Sequence, residues 1–248
     1  MRRLNVLACA LFAAASVSTA DAASVTYATS AGNQPLATTS GGNVNATAII
    51  TTGTNSVEVI LQNFQADPVS VAQAISAFQF TLSPGQTSAV LSSSSGIDRT
   101  INSDGTYFDA ASATARAHWA TGVSGTAINL DDLLGNGQPD ELIIGPPLTS
   151  ADPTKNNRYY DAGGSILGNT PHNPFTTGLS AEFFLTVNGV TSATTVTSAK
   201  FQFGTTEGKD QVPGVDISTG GNPLPEPSSA AVFAIAGLGL LRRRRAAL

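Results

Sequence analysis

With 248 residues, only 12% of them charged, and a formal net charge of −5, the chain is long enough for one sizeable domain between two atypical ends. Between residues 23 and 225 it carries 15 acidic and 6 basic side chains, a balance of −9 that repels phosphate backbones and argues against nucleic acid as a partner. Cys9 is the single cysteine and falls in the leader, so the rest of the chain has no disulfide, thiolate metal site or cysteine nucleophile.

Arg2 and Arg3 precede an apolar stretch from Val6 to Val17, and Ala20-Asp21-Ala22 places small residues at A-x-A spacing. This order predicts a Sec-type signal peptide over residues 1–22, handled by the Sec export machinery and cut after Ala22. As a permanent anchor the stretch is too short, since a span needs roughly 20 apolar residues. A lipoprotein signal ending at Cys9 fits less well, because the apolar region continues beyond it.

Residues 23–212 read as one all-β domain. Apolar side chains alternate with polar ones at Val57, Val59 and Leu61, at Phe78, Phe80 and Leu82, at Phe183, Leu185 and Val187, and at Phe201 and Phe203. Weaker strands are predicted over 44–51, 115–120, 142–144 and 193–198. Residues 65–77 admit a helical turn, with Val71, Ala74 and Ile75 on one face. Ser83-Pro84-Gly85, Ser103-Asp104-Gly105, Gly135-Asn136-Gly137 and Asn188-Gly189 supply turn chemistry between the runs. Eight or more short strands predict a single antiparallel β-sandwich, Ig-like or jelly-roll-like, flanked by the N-terminal signal helix and a C-terminal apolar helix.

The best candidate site in this body is the segment from Asp132 to Glu141. Oxygen ligands at alternating loop positions around a glycine bend can wrap a calcium ion, and the segment resembles the calcium loops of extracellular repeat proteins with Asp132, Asn136 and Asp140 at ligand positions. It departs from them at Leu134, where those loops carry Asn or Asp. A Gly/Asn turn with its carboxylates in water is the simpler reading, so no cofactor is required and calcium is the one metal considered. Asp131, Asp132, Asp140 and Glu141 also offer carboxylates for glycoside hydrolysis, but nothing in the sequence sets two of them across a cleft. His118 beside Trp119 reads as a rim histidine next to a core aromatic, and His172 as a loop residue. No serine sits in a G-x-S-x-G elbow, so no catalytic residue is assigned. Thr191 to Thr197 is rich in threonine, which on one flat strand face is a route to ice binding, although a solvated strand is the commoner outcome.

Residues 213–224 are a Gly/Pro-rich linker. Beyond it stand Pro225-Glu226-Pro227, an apolar run from Ala230 to Leu241, and the block Arg242, Arg243, Arg244 and Arg245. As a helix the run extends about 18 Å, short of a hydrocarbon core of about 30 Å, with the arginines kept on the cytoplasmic side. These three features in this order closely resemble the PEP-CTERM sorting signal over residues 225–248. The resemblance implies a transient inner-membrane anchor that an exosortase, a membrane-embedded cysteine protease, cuts near Pro225. Final residence is then the cell envelope or the extracellular space, in bacteria that make exopolysaccharide and biofilm. The tail is found on bodies of many kinds, some described as ice-binding, so it gives an address and not an activity. Residues 78–83, 172–175, 189–191 and 201–205 are similar to uncharacterised bodies that carry this tail. The function expected is that of an exported, non-catalytic matrix, adhesive or surface protein. The alternatives are a secreted polysaccharide hydrolase and a calcium-, glycan- or ice-binding module.

Overall fold

Period-two runs become strands with their apolar residues turned inward, as a computed structural model shows for residues 23–30, 37–136, 139–155, 157–161 and 165–218. The signal-cleavage residues Ala20 and Ala22, the sorting residues Pro225, Glu226, Pro227 and Arg242 to Arg245, and both expected flanking helices lie outside the described residues. No helix among the described residues is long and apolar enough to cross a membrane.

In chain order the strands are β1 (Ala23–Ala28), β2 (Ala37–Thr39), β3 (Gly42–Val44), β4 (Ala46–Gly53), β5 (Ser56–Asn63), β6 (Ile75–Ser83), β7 (Val90–Ser95), β8 (Asp98–Ile101), β9 (Tyr107–Asp109), β10 (Ala120–Ser124), β11 (Ala127–Asp131), β12 (Ile143–Ile144), β13 (Phe175–Thr177), β14 (Ala181–Thr186), β15 (Thr195–Phe203), β16 (Gln211–Pro213) and β17 (Val215–Asp216). One sheet has the order β17-β1-β4-β5-β14-β7. β2 and β3 pair as a separate two-stranded sheet, and in the second large sheet β6 is central. One of its edges pairs with β15, which pairs with β16. Its other edge is shared by β11, which leads to β10, and β12, which leads through β13 and β8 to β9. Among the described residues every pairing is antiparallel except β12 with β13. The fold is therefore all-β, as the sequence predicts.

Val57, Val59 and Leu61 from β5, Phe183 and Leu185 from β14, Phe78, Phe80 and Leu82 from β6, and Phe201 and Phe203 from β15 meet in one apolar cluster between the two sheets. Each fully buried side chain of this size contributes about 1.5–3 kcal/mol relative to exposure. Phe184 has the opposite parity on β14 and is exposed, as a one-residue phase difference requires. The two sheets are also tied by Asn63 at the end of β5. Its buried Nδ2 donates to the carbonyls of Gln73 and Ile143, both at 2.9 Å, and its Oδ1 accepts from Gln65 N–H at 3.0 Å. Gly178 lies where the chain crosses from β13 toward β14. A Cβ there would stand 2.4 Å from Asn63 O and 2.5 Å from Ile144 O, so the crossing requires glycine.

A second cluster of Ala74, Ile101, Leu142, Ile144, Tyr160, Ile166 and Phe175 fills a loop-rich lobe around β8, β9, β12 and β13. Arg99 runs through it. Its Nε and Nη2 donate to the two carboxylate oxygens of Asp109 at 2.6 and 2.8 Å, its Nη1 donates to Tyr160 Oη at 2.8 Å, and its guanidinium lies 4.4 Å from the centre of the Tyr107 ring. Burial is the largest single influence and works against the charge on Arg99, but Asp109 and Tyr160 together outweigh it through hydrogen bonds and charge, so the pKa is raised. Burial also pushes the Tyr160 phenol up to about 12. Arg116 has almost no exposed surface, and its Nη1 donates to Asp98 Oδ1 at 2.6 Å and to Thr176 Oγ1 at 3.0 Å.

Several expectations change. The helical turn sought over 65–77 contracts to a 3₁₀ turn at Val71–Gln73, closed by reciprocal side-chain caps from Ser70 and Gln73, because β6 already begins at Ile75. Residues 115–119 form no strand. They are a loop whose side chains are used by Arg116, His118 and Trp119, and β10 starts at Ala120. Sheet pairing continues past residue 212, with β17 bonded to β1, so the start of the expected linker belongs to the body.

Candidate functional site

β11 and β12 behave as one strand with a loop let into it. β11 pairs with β6 down to Asp131 opposite Ala77, Asp132 N–H donates to Ser76 O at 3.0 Å, and pairing resumes at Ile143 opposite Ile75. Residues 133–142 therefore leave and rejoin the sheet at adjacent positions of β6. That closure brings both ends of the Asp132 to Glu141 segment together.

The returning limb is fixed from three directions. His172 Nδ1 donates to Pro139 O at 2.6 Å, which sets its tautomer. Trp119 Nε1–H and Thr176 Oγ1 both donate to Glu141 O at 3.1 Å. His118 N–H donates to Glu141 Oε2 at 3.0 Å, and Glu141 N–H donates to Asp132 Oδ2 at 3.4 Å. The His118 ring completes the arrangement, its Nδ1 pairing with Asp140 Oδ1. As a result one nitrogen of His118 and one carboxylate oxygen each from Asp132 and Asp140 lie within 4.8 Å of one another.

Asp132 is the unusual member. It has no exposed surface, and its Oδ1 has no hydrogen-bond partner. Burial pushes its carboxyl up to about 7. The Glu141 N–H opposes that shift, the charges of Glu141 and Asp131 add to it, and Arg116 offsets part of it. An ionised carboxylate here needs a compensating cation, and a neutral one needs a proton.

Of the calcium ligands proposed from sequence, Asp132 and Asp140 come together, while the Asn136 side chain lies outside the described residues. His118 is half-buried at the rim beside the core residue Trp119, as the sequence reading has it, and its ring comes next to both aspartates. It is distant in sequence, but the β10–β11 hairpin register is the signal that finds it. Ala120 pairs with Asp131, so His118 and Trp119 run on beside Asp132. Asp131 points elsewhere. Its Oδ1 accepts from Leu133 N–H at 2.7 Å, and it lines an open cleft of about 220 Å³ with Gln79, Asn129, Lys200 and Glu207. The four carboxylates considered for sugar hydrolysis are thus divided between two places. Thr191 to Thr197 do not form one flat row. Thr191 and Thr194 close a turn, Thr191 N–H donating to Thr194 Oγ1 at 3.0 Å, and β15 is bulged between Val196 and Ser198.

Comparison with known proteins finds no match: no family model, curated protein or solved structure is significantly similar to the chain.

Proposed function

We propose that the chain is an exported, non-catalytic envelope or extracellular-matrix protein. Its body is a β-sandwich of Ig-like or jelly-roll-like type, delivered by the Sec machinery and sorted by an exosortase after transient anchoring in the inner membrane. The single observation that carries this reading is the ordered tail of Pro225-Glu226-Pro227, apolar run and Arg242 to Arg245. An acidic, weakly charged body with two sheets around one apolar core suits a structural or adhesive role beside exopolysaccharide. Catalysis on a polysaccharide has less support. The carboxylates considered for it are divided between two places, and Asp132 has no surface through which to meet a sugar.

The test is to express the chain in its host with and without the exosortase and follow its mass and location. Processing near Pro225 and release from the inner membrane are expected only with the enzyme. The same uncut precursor in both strains sinks the reading.

A further inference from the structure

We propose that His118, Asp132 and Asp140 form a binding site for one divalent transition-metal ion, zinc in the first instance, which clamps the 133–142 loop to the β10–β11 hairpin. The site goes beyond the sorting reading and does not depend on it.

Three observations converge. First, the three donor atoms are already gathered within 4.8 Å, although they come from three separate segments: the approach to β10, the end of β11 and the limb before β12. Second, Asp132 Oδ1 is fully buried and has no partner, which in a packed interior leaves an uncompensated acceptor. Third, among the described residues no side-chain cation forms an ion pair with Asp132. The nearby Arg116 is already engaged by Asp98, Thr114 and Thr176. A metal ion would neutralise the two carboxylates.

The donor set selects the ion. Calcium takes six to eight oxygens, and an imidazole nitrogen is a poor contribution to that shell. One imidazole and two carboxylates suit zinc, whose usual four-coordinate shell accepts three protein ligands and a water. The surroundings fit as well. Asp132 Oδ2 accepts from Glu141 N–H, and Trp119 and Thr176 hold the Glu141 carbonyl, so the groups behind the ligands are already oriented.

The full chain, stripped with a chelator, is titrated with Zn²⁺ and Ca²⁺ by calorimetry and by thermal melting, and with Co²⁺ by visible absorption. Zinc is expected to bind one-to-one and raise the melting temperature, and cobalt to give the absorption bands of a four-coordinate nitrogen–oxygen site. His118→Gln and Asp140→Asn each weaken zinc binding by at least about tenfold and abolish the cobalt bands, while the metal-free circular dichroism stays that of the parent. Because Asp132 is buried and its substitution can cost folding, the half-exposed His118 carries the decisive comparison. The proposal is overturned if the folded parent binds no zinc, or if binding survives both substitutions. It is equally overturned if calcium stabilises the chain as much as zinc does and His118→Gln leaves that stabilisation unchanged.

Discussion

The space between the two sheets and the loop-rich lobe solve the same problem with different chemistry. Between the sheets, apolar side chains from β4, β5, β6, β14 and β15 bury one another without polar partners of their own. In the lobe a smaller apolar cluster is bordered by Arg99 and Arg116, two of the six basic residues between 23 and 225, each held by specific partners. Short strands and long loops leave too little apolar surface to close a core, so buried ion pairs and aromatic–cation contacts complete it. Such pairs define geometry strongly and contribute little net stability, since desolvation offsets much of their attraction. The proposed metal site stands on the seam, with Asp132 at the end of the sheet region and Asp140 on the loop that enters the lobe.

The contrast can be broken from either side. Phe78→Ala, in the centre of the sheet core, is expected to cost about 3–5 kcal/mol and to lower the denaturant midpoint of the whole body without changing its slope. Arg99→Met is expected to cost about 2–3 kcal/mol. Its signature is local: hydrogen exchange should rise in β8, β9 and β13 while β4 and β5 keep their protection. Uniform loss of protection across both sheets would show that the lobe is no separate unit.

Alkaline pH acts on the lobe through Tyr160. Tyr160 is buried, and its phenol holds its proton more tightly when folded, at about 12, than the ordinary value of 10.0. The folded state therefore binds more protons than the unfolded state between those values. The contribution of Tyr160 to stability is constant below about pH 10, falls by about 2–3 kcal/mol as pH rises to about 12, and then levels. Tyr160→Phe should flatten that decline in urea midpoints measured across the range. At the small end, Phe184→Thr on the outer face of β14 should change stability by no more than about 0.5 kcal/mol, because the side chain is exposed among polar neighbours. A larger loss would mean that this face is covered by something else.

The sheet core was legible because strand periodicity is a local property. Val57, Val59 and Leu61, or Phe78, Phe80 and Leu82, alternate in sequence for the same reason that they share a face in space. Where that reason fails, so does the reading. β7 ends in four serines along a sheet edge, and β8 carries Arg99 inward, so neither shows an apolar rhythm. The lobe's partners, Arg99 with Tyr160 or Arg116 with Thr176, are separated by 61 and 60 positions, and no local pattern pairs them.

The sequence by itself determined the all-β class, the main core strands and the Asp132–Asp140 segment as the place to look for chemistry. It also supplied the ordered tail on which the sorting proposal rests. Only the tertiary structure decided that β11 and β12 are one interrupted strand, that Asp132 is buried rather than facing water, and that His118 joins the two aspartates. The physical reason is the register along β6. A strand edge accepts pairing at Ser76 and again at Ile75, so the chain between must return to where it left, and that closure is invisible until the sheet exists.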